Sequence, residues 1–397
     1  MRDCGRLVMT SDVFNTTLGE LSFGGKGYYG IGASAVPYSP ELYTYLRITD
    51  INDDGTLNMA DLKSVSDEKA SNYLLKPNDI VFARTGASTG RNYFYDGTDG
   101  EFVFAGFLIK FSLDPSKVNP RYIKYYCQSQ VYRDWIAAFN TGSTRGNINA
   151  QTLASTPISL PNRETQDRIV KILDSLENKR RYNKQINDNL QQQAMALYTS
   201  MFLDNPALET TAGTLKDIAD ISMGQSPNGS SYNENGNGEV FYQGRAEFGY
   251  RFPTRRLYTT EPKRMAEAGD VLLSVRAPVG DLNVAYERCC IGRGLGAIHS
   301  RNRYQSFVLY TMFALRPQLD VYNGEGTVFG SINRNALNDM PIDIPSEDAI
   351  AAFEAIARPM DDMIRSNYEE NCRLQELRDS LLPRLMSGEI DVTDIDI

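Results

Sequence analysis

Two long stretches of the chain repeat apolar residues at a spacing of seven, which is the pattern of helices packed along a continuous seam. The first begins at Asn162, its predicted N-cap, and meets no proline or glycine before Pro206. The second begins at Ser346, again a predicted N-cap, and ends near Gly388. The predicted seam positions are Ile169, Leu176, Asn183, Leu190 and Leu197 in the first helix, and Phe353, Met360, Asn367, Leu374 and Leu381 in the second.

Each stripe is interrupted in its middle by a polar residue, Asn183 in one helix and Asn367 in the other. The midpoints of an antiparallel pair meet, so we expect these two buried amides to bond each other. Adjacent apolar positions are expected to reinforce the stripe: Ile172, Leu173, Ile186 and Met201 in the first helix, and Ile356, Ile364, Leu377 and Leu385 in the second. The alternative is a pair of amphipathic helices that each pack on a domain of their own.

The chain also repeats itself. Residues 146–161 (GNINAQTLASTPISLP) match residues 330–345 (GSINRNALNDMPIDIP) at a constant offset, and the matches include Asn149 with Asn333. Upstream, residues 77–82 (PNDIVF) parallel residues 268–273 (AGDVLL), each a polar turn that leads into a short apolar strand. An arginine follows both strands, Arg84 in the first half and Arg276 in the second, and we expect the two to be equivalent.

The repeat and the helices together predict a mixed α/β fold. It consists of two pseudo-twofold-related α/β domains separated by two long antiparallel coiled-coil helices. We assign residues 1–160 to the first domain, 161–205 to the central helix, 206–345 to the second domain, and 346–397 to the C-terminal helix and acidic tail.

Charge is distributed unevenly over the chain, which carries a formal net charge of −9. Residues 346–397 hold 13 acidic and 5 basic residues, whereas residues 240–304 hold 11 basic and 6 acidic ones. The basic segment is suited to phosphate neutralisation. The acidic helix is expected to meet a protein partner through outward-facing Asp361, Asp362, Glu369, Glu370, Glu376 and Asp379.

Residues that would carry catalysis are scarce. His299 is the single histidine, and the five cysteines form no Cys-x-x-Cys pair, so both residue types are expected to be structural. No Gly-x-x-x-x-Gly-Lys-Ser/Thr phosphate loop is present. The run Asp67-Glu68-Lys69 has the letters of a nuclease site but lies in a polar stretch, and a solvated surface is expected there. No apolar run is long enough to span a bilayer and no signal peptide opens the sequence, so a cytoplasmic location is expected.

Polar, aromatic and basic loops remain in both halves. Arginine and glutamine can bond base edges, while serine, threonine and lysine hold phosphates, so we predict that these loops contact double-stranded DNA. The candidates in the first half are Lys26, Tyr28, Tyr29, Ser34, Arg47, Thr49, Arg84, Ser143, Thr144 and Arg145. Those in the second half are Gln225, Ser226, Gln243, Arg245, Arg255, Arg256, Lys263, Arg264 and Arg276.

Three segments carry a family resemblance. Residues 377–390 (LRDSLLPRLMSGEI) resemble the C-terminal signature of specificity subunits of type I restriction-modification enzymes. Residues 29–36 (YGIGASAV) with 45–51 (YLRITDI) look like the start of a first target recognition domain, and residues 269–281 (GDVLLSVRAPVGD) are similar to second-domain sequences.

The resemblance implies a subunit without catalytic residues, cofactor or metal of its own. It implies a bipartite, asymmetric DNA target with one half-site for each recognition domain. It also implies two methyltransferase subunits docked on the helices and restriction subunits that join through them. S-adenosylmethionine, ATP and Mg²⁺ would belong to those partners. The competing classes are a coiled-coil scaffold that binds only proteins and a fused modification–recognition enzyme, which the missing catalytic motifs argue against.

Overall fold

The computed structural model describes residues 13–139, 147–324, 330–393 and 395. The chain divides into two compact units, one formed by residues 1–180 with 371–397 and the other by residues 181–370. Both divisions fall inside long helices, so each unit contains one α/β domain and a segment of both helices.

The first unit is built from short strands with three short helices near the end of its domain. In chain order its elements are β1 (Phe14–Thr17), β2 (Tyr28–Tyr29), β3 (Ala35–Pro37), β4 (Tyr43–Leu46), β5 (Lys63–Val65), β6 (Asp79–Ala83), β7 (Asn92–Tyr95), β8 (Phe102–Phe104), β9 (Leu108–Ser112), α1 (Pro120–Tyr126), α2 (Gln130–Ala138), α3 (Ala150–Ala154) and β10 (Pro157–Leu160). The long helix α4 (Arg163–Tyr198) follows and continues into the second unit.

The second unit has the same order of elements with small additions. They are β11 (Thr210–Thr214), α5 (Leu215–Ile218), β12 (Ala219–Met223), β13 (Tyr232–Asn233), β14 (Glu239–Tyr242), β15 (Leu257–Thr259), β16 (Met265–Ala266), β17 (Val271–Ser274), β18 (Leu282–Val284), β19 (Cys289–Ile291), β20 (Leu295–Ser300), α6 (Gln305–Ala314), α7 (Arg316–Asp320), α8 (Arg334–Asn338) and β21 (Pro341–Pro345). The second long helix, α9 (Glu347–Met386), follows and ends in the first unit.

The two units share one sheet topology. The order β2-β9-β6-β7 in the first corresponds to β12-β20-β17-β18 in the second, and β3-β5-β4-β8 corresponds to β13-β15-β14-β19, to which β16 is added. The repeat seen in the sequence ends in the same local structure, because Asn149 caps α3 through the Thr152 amide and Asn333 caps α8 through the Ala336 amide. The predicted mixed α/β class with long helices is confirmed.

Both long helices begin where their capping residues predict. The Thr165 amide donates to Asn162 Oδ1 at 2.9 Å, and the Ala349 amide donates to Ser346 Oγ at 3.4 Å. The helices run antiparallel within each unit. In the second unit Asn183 meets Glu370 and Asn187 meets Asn367, and in the first Glu177 meets Arg378 and Arg180 meets Asn371. No helix in the described part of the chain is long and apolar enough to cross a membrane.

The predicted bond between Asn183 and Asn367 is wrong by one helical turn. Asn367 Nδ2 donates to Asn187 Oδ1 at 2.8 Å, and Asn183 Nδ2 donates to Glu370 at 2.7 Å. All three asparagines are buried, at 1%, 4% and 8% exposure for Asn183, Asn187 and Asn367. The register of the antiparallel pair, which a midpoint estimate cannot fix, places residue 187 rather than 183 against residue 367.

The other seam positions are buried or half-buried in the unit to which each belongs. Those in the first unit are Ile169, Leu176, Leu374 and Leu381, and those in the second are Leu190, Leu197, Phe353 and Met360. The helices also pack on the domains, since Phe353 lies among the rings of Tyr198, Phe307 and Tyr310. Both readings of the apolar stripe, the seam and the packing on a domain, are therefore realised along the same helices.

Three of the eight adjacent positions that were expected to reinforce the stripe do not do so, because Ile186, Ile356 and Leu377 are each more than two-fifths exposed, whereas the other five are buried or half-buried. Half of the acidic set on α9 is likewise not outward-facing. Asp361 pairs with the buried Arg251, Glu369 pairs with Arg365, and Glu370 accepts the bond from Asn183. The exposed members of that set are Asp362, Glu376 and Asp379.

Candidate nucleic-acid interface

A three-residue turn in the first unit holds three loops together through backbone hydrogen bonds. We call this turn, residues 105–107, the first hub. Its amides donate to the Leu46 carbonyl at 3.0 Å and to the Ile31 carbonyl at 2.7 Å, and the Phe107 carbonyl accepts from the Arg84 amide at 3.1 Å. The loop that begins at Ile31 is also held by Tyr45, whose hydroxyl donates to the carbonyls of Ile31 and Ala33, both at 2.9 Å. Burial raises the pKa of Tyr45, which keeps this hydroxyl a donor.

The equivalent turn in the second unit, residues 292–294, is the second hub. The Gly292 amide donates to the Tyr242 carbonyl at 2.8 Å, and the Val275 amide donates to the Gly294 carbonyl at 3.0 Å. The Arg293 amide donates to Ser226 Oγ at 3.2 Å. The equivalent turn therefore gathers the three equivalent loops in each unit, although the bond to Ser226 uses a side-chain oxygen where the first unit uses the Ile31 carbonyl.

One glycine beside each hub has no room for a side chain. A Cβ atom on Gly30 would lie 2.2 Å from the Ala105 carbonyl oxygen, and one on Gly224 would lie 2.1 Å from the Gly292 carbonyl oxygen. These distances are far inside van der Waals contact. The close approach of the two backbones explains why glycine occupies both positions.

Four of the first-half candidates form a cationic and aromatic surface next to the first hub. The Arg84 guanidinium lies 5.3 Å from the centre of the Tyr29 ring and 5.8 Å from that of Phe107. Lys26 lies over Tyr28 at 5.4 Å. All three rings are exposed, so their faces are accessible to a ligand.

The remaining first-half candidates lie apart from this surface or outside the described residues. Arg47 caps its own turn: its Nε and Nη2 donate to the Asp50 carboxylate at 3.0 and 2.6 Å. This bonding to Asp50 raises the pKa of Arg47 and occupies its guanidinium. Thr49 and Ser34 are exposed in the neighbouring loops. The candidates Ser143, Thr144 and Arg145 lie outside the described residues.

Most of the second-half candidates belong to one of two groups, residues at the second hub and arginines paired with acidic residues. Gln225, Ser226 and Gln243 lie at the second hub. The backbone amide of Gln225 donates to the Ile291 carbonyl, and the backbone carbonyl of Gln243 accepts from the Gly294 amide. Arg276 follows Val275 directly and is exposed. The arginines of the other group are paired with acidic residues: Arg245 with Asp281, Arg255 with Glu287 and Arg256 with Glu247. Lys263 and Arg264 are exposed before β16, and the Arg264 carbonyl accepts a hydrogen bond from the backbone amide of Ile291, directly before the hub turn.

The family model for the type I restriction modification DNA specificity domain matches this chain twice, over residues 34–192 and 209–378. The chain belongs to this family. Its two matches contain one hub each.

Individual specificity subunits match over most of their length. The MjaX type I restriction enzyme specificity subunit of Methanocaldococcus jannaschii is 30% identical over 377 residues, which cover 88% of both chains. The HindI specificity subunit of Haemophilus influenzae is 21% identical and covers 80% of this chain and 87% of its own. The crystal structure of a type I S subunit from M. genitalium matches 96% of this chain and 97% of that chain with a TM-score of 0.57 at 15% identity, which supports the fold alone.

The expected equivalence of Arg84 and Arg276 is wrong in this specificity subunit. Arg84 donates its amide to the third residue of its hub, Phe107, and Val275 does the same to Gly294. Arg276 instead corresponds to Thr85, because each pairs across to the segment before α3 or α8, Thr85 with Asn147 and Arg276 with Ser331. The next arginine along the chain is Arg276, whereas the strand register places the equivalent of Arg84 one residue earlier, at Val275.

Two exposed residues at the hubs of this specificity subunit, Phe107 and Arg293, were missed from the sequence. Each stands on a turn bordered by glycine, in the runs Ala105-Gly106-Phe107 and Gly292-Arg293-Gly294. A large side chain next to glycine between two strands is a signal for an exposed turn, and it could have found both.

Proposed function

We propose that this specificity subunit reads a bipartite and asymmetric DNA target, with one half-site for each of its two domains. The proposal places the first hub and its loops against one half-site and the second hub against the other. Non-specific base pairs would separate the half-sites, since the reading surfaces belong to different domains.

The observation that carries this proposal is that one scaffold presents different side chains in the two units. Where the first unit has Arg84 and Phe107, the second has Val275 and Gly294 at the equivalent positions. The hub turn itself carries a phenylalanine at its third position in one unit and an arginine at its second position, Arg293, in the other. Equal folds with unequal side chains are suited to two unlike half-sites, because base edges are distinguished by side-chain chemistry.

The partners follow from the same assignment. Two methyltransferase subunits would dock on the long helices, and restriction subunits would join through them. The exposed acidic residues Asp362, Glu376 and Asp379 on α9 support a protein partner there, since phosphate would repel them. S-adenosylmethionine, ATP and Mg²⁺ would act on those partners, while this cytoplasmic subunit would supply sequence recognition and no catalytic group.

Methylation mapping of the source genome, with and without this gene, tests the proposal. We expect a split, asymmetric methylation motif that disappears when the gene is deleted. A mobility-shift assay with the full chain and its methyltransferase partner separates this function from a protein scaffold, which would leave duplex DNA unshifted. Loss of a single contiguous motif, or of none, would contradict the two-domain assignment.

A further inference from the structure

We propose that Arg84 reads a guanine in the half-site of the first domain, and that Tyr29 and Phe107 are the positioning residues that aim its guanidinium. This inference rests on the proposed function and adds to it a base and the residue that recognises it.

Two aromatic rings and one carbonyl oxygen contact the Arg84 guanidinium. The guanidinium carbon is 5.3 Å from the Tyr29 ring centre and 5.8 Å from that of Phe107, and Nε lies 3.4 Å from the Gly106 carbonyl oxygen. A cation within about 6 Å of two aromatic rings is attracted to both, and this restricts the rotation of a long side chain. The planar fork of donors is therefore pre-oriented before any ligand arrives.

Hydrogen bonds hold both the Tyr29 ring and the backbone of Arg84 in place. The Tyr29 hydroxyl accepts a hydrogen bond from the Ala150 amide at 3.2 Å, at the start of α3. The backbone of Arg84 is bonded on both sides, its amide to the Phe107 carbonyl and its carbonyl to the Ile148 amide at 2.9 Å. A side chain on such a backbone is positioned with the precision that base recognition requires.

Arg84 also differs from its neighbours in having no acidic partner. Arg47 pairs with Asp50, Arg91 with Asp53, and Arg121 with Asp96 and Asp174. Across residues 13–139, 147–324, 330–393 and 395, no carboxylate lies within 4.0 Å of the Arg84 guanidinium, and its two Nη atoms make no hydrogen bond. Donors left unpaired by the fold, on a half-buried and pre-oriented arginine, are available to a ligand.

The geometry favours a base edge over a phosphate. Lysine suits phosphate because it is a point charge on a flexible stem, and Lys26 is exposed nearby over the Tyr28 ring. Arg84 instead lies half-buried beside two rings, those of Tyr29 and Phe107, which are 45% and 56% exposed. Two parallel donors match O6 and N7 of guanine in the major groove, which is the commonest specific contact of arginine.

The test is a selection from a randomised duplex library by the full chain in complex with its methyltransferase subunits. The wild type is expected to enrich guanine at one position of the first half-site. Arg84→Ala should reduce that preference by roughly 5- to 150-fold and leave the second half-site unchanged. Phe107→Ala and Tyr29→Leu should weaken the same preference without creating another, which a purely structural role would not do.

Two matched variants serve as controls. Lys26→Ala should lower affinity for all library sequences alike and flatten the salt dependence, because it removes a phosphate contact. Arg276→Ala should leave the first half-site unchanged. The inference is overturned if Arg84→Ala lowers affinity evenly for all sequences, or if the lost preference is for a base other than guanine. A wild-type complex that enriches no split motif would instead contradict the proposed function itself.

Discussion

The imidazole Nδ1 of His299 lies 2.6 Å from Oδ1 of the buried Asp270, and the same carboxylate accepts the Glu267 amide through its other oxygen. The first unit repeats this arrangement with a different donor. There, Asp79 accepts the Lys76 amide at 2.8 Å and the hydroxyl of Ser112 at 2.5 Å. The single histidine is thus the counterpart of a serine that holds a strand to its preceding turn, which agrees with the structural role expected from the sequence.

We predict that His299→Ser will be nearly neutral for stability, within about 1 kcal/mol, because Ser112 performs the same task in the first unit. His299→Leu should cost more, since it removes the side-chain donor from a buried carboxylate. Thermal unfolding of the full-length variants compares the two. Equal losses in both would show that the donor to Asp270 is unimportant.

The glycines beside the hubs give a second prediction. Gly30→Ala and Gly224→Ala should each destabilise the protein by roughly 1–3 kcal/mol, because the added methyl group overlaps a carbonyl oxygen. Gly32→Ala and Gly244→Ala are matched controls, since a Cβ at either position meets nothing within 4 Å. If the controls and the hub variants unfold at the same temperature, the backbones are not in close contact.

A third prediction concerns the buried amides between the helices. Replacing Asn187 or Asn367 singly by leucine leaves the other amide without its partner and should cost roughly 1–3 kcal/mol. The double replacement should cost less than the sum, with a coupling energy above about 0.5 kcal/mol in a double-mutant cycle. The cycle of Asn183 with Asn367 should show weaker coupling, because Asn183 bonds Glu370. Stronger coupling in that second cycle would instead support the pairing of Asn183 with Asn367 that was expected from the sequence.

The fourth prediction is a dependence of stability on pH. Burial raises the pKa of Glu354, and the nearby Asp361 charge adds to the effect, while the amides of Phe307 and Ser306 and the charge of Arg358 oppose it. The folded state therefore holds this proton more tightly than the unfolded state does. The stabilising contribution is full below the ordinary pKa of 4.5 and is lost as the pH rises through the higher folded value.

Glu354→Gln should consequently reduce the loss of stability between about pH 4.5 and neutrality. The slopes of stability against pH are compared, and not the absolute stabilities, because glutamine keeps only one of the two side-chain oxygens that accept backbone hydrogen bonds. Glu376→Gln, at an exposed position of the same helix, is the control and should leave the slope unchanged. Parallel slopes in wild type and Glu354→Gln would contradict the prediction.

The features that the sequence predicted well are local or periodic. The caps at Asn162 and Ser346 and the repeated caps at Asn149 and Asn333 depend only on a side chain and the next three residues. The mixed α/β class followed from the repeat and from the change between short strands and long heptads.

The features that it missed depend on register. Whether Asn183 or Asn187 faces Asn367, and whether Arg84 corresponds to Val275 or Arg276, is decided by pairings between distant segments. The charge of a loop residue was equally uninformative by itself. Among the described residues, Arg47, Arg255 and Arg256 are paired with acidic residues, whereas Arg84 and Arg276 have no acidic partner there, and no spacing in the chain separates these two groups.

The central claim is that each domain reads its own half-site, and an exchange of one domain tests it most directly. A chimera that carries the second domain of another specificity subunit in place of residues 206–345 would be assembled with the methyltransferase subunits. The methylation motif of this complex would then be mapped on randomised DNA. We predict that the half-site of the second domain changes to that of the donor, while the half-site of the first domain is retained. A change in both half-sites, or in neither, would contradict the account.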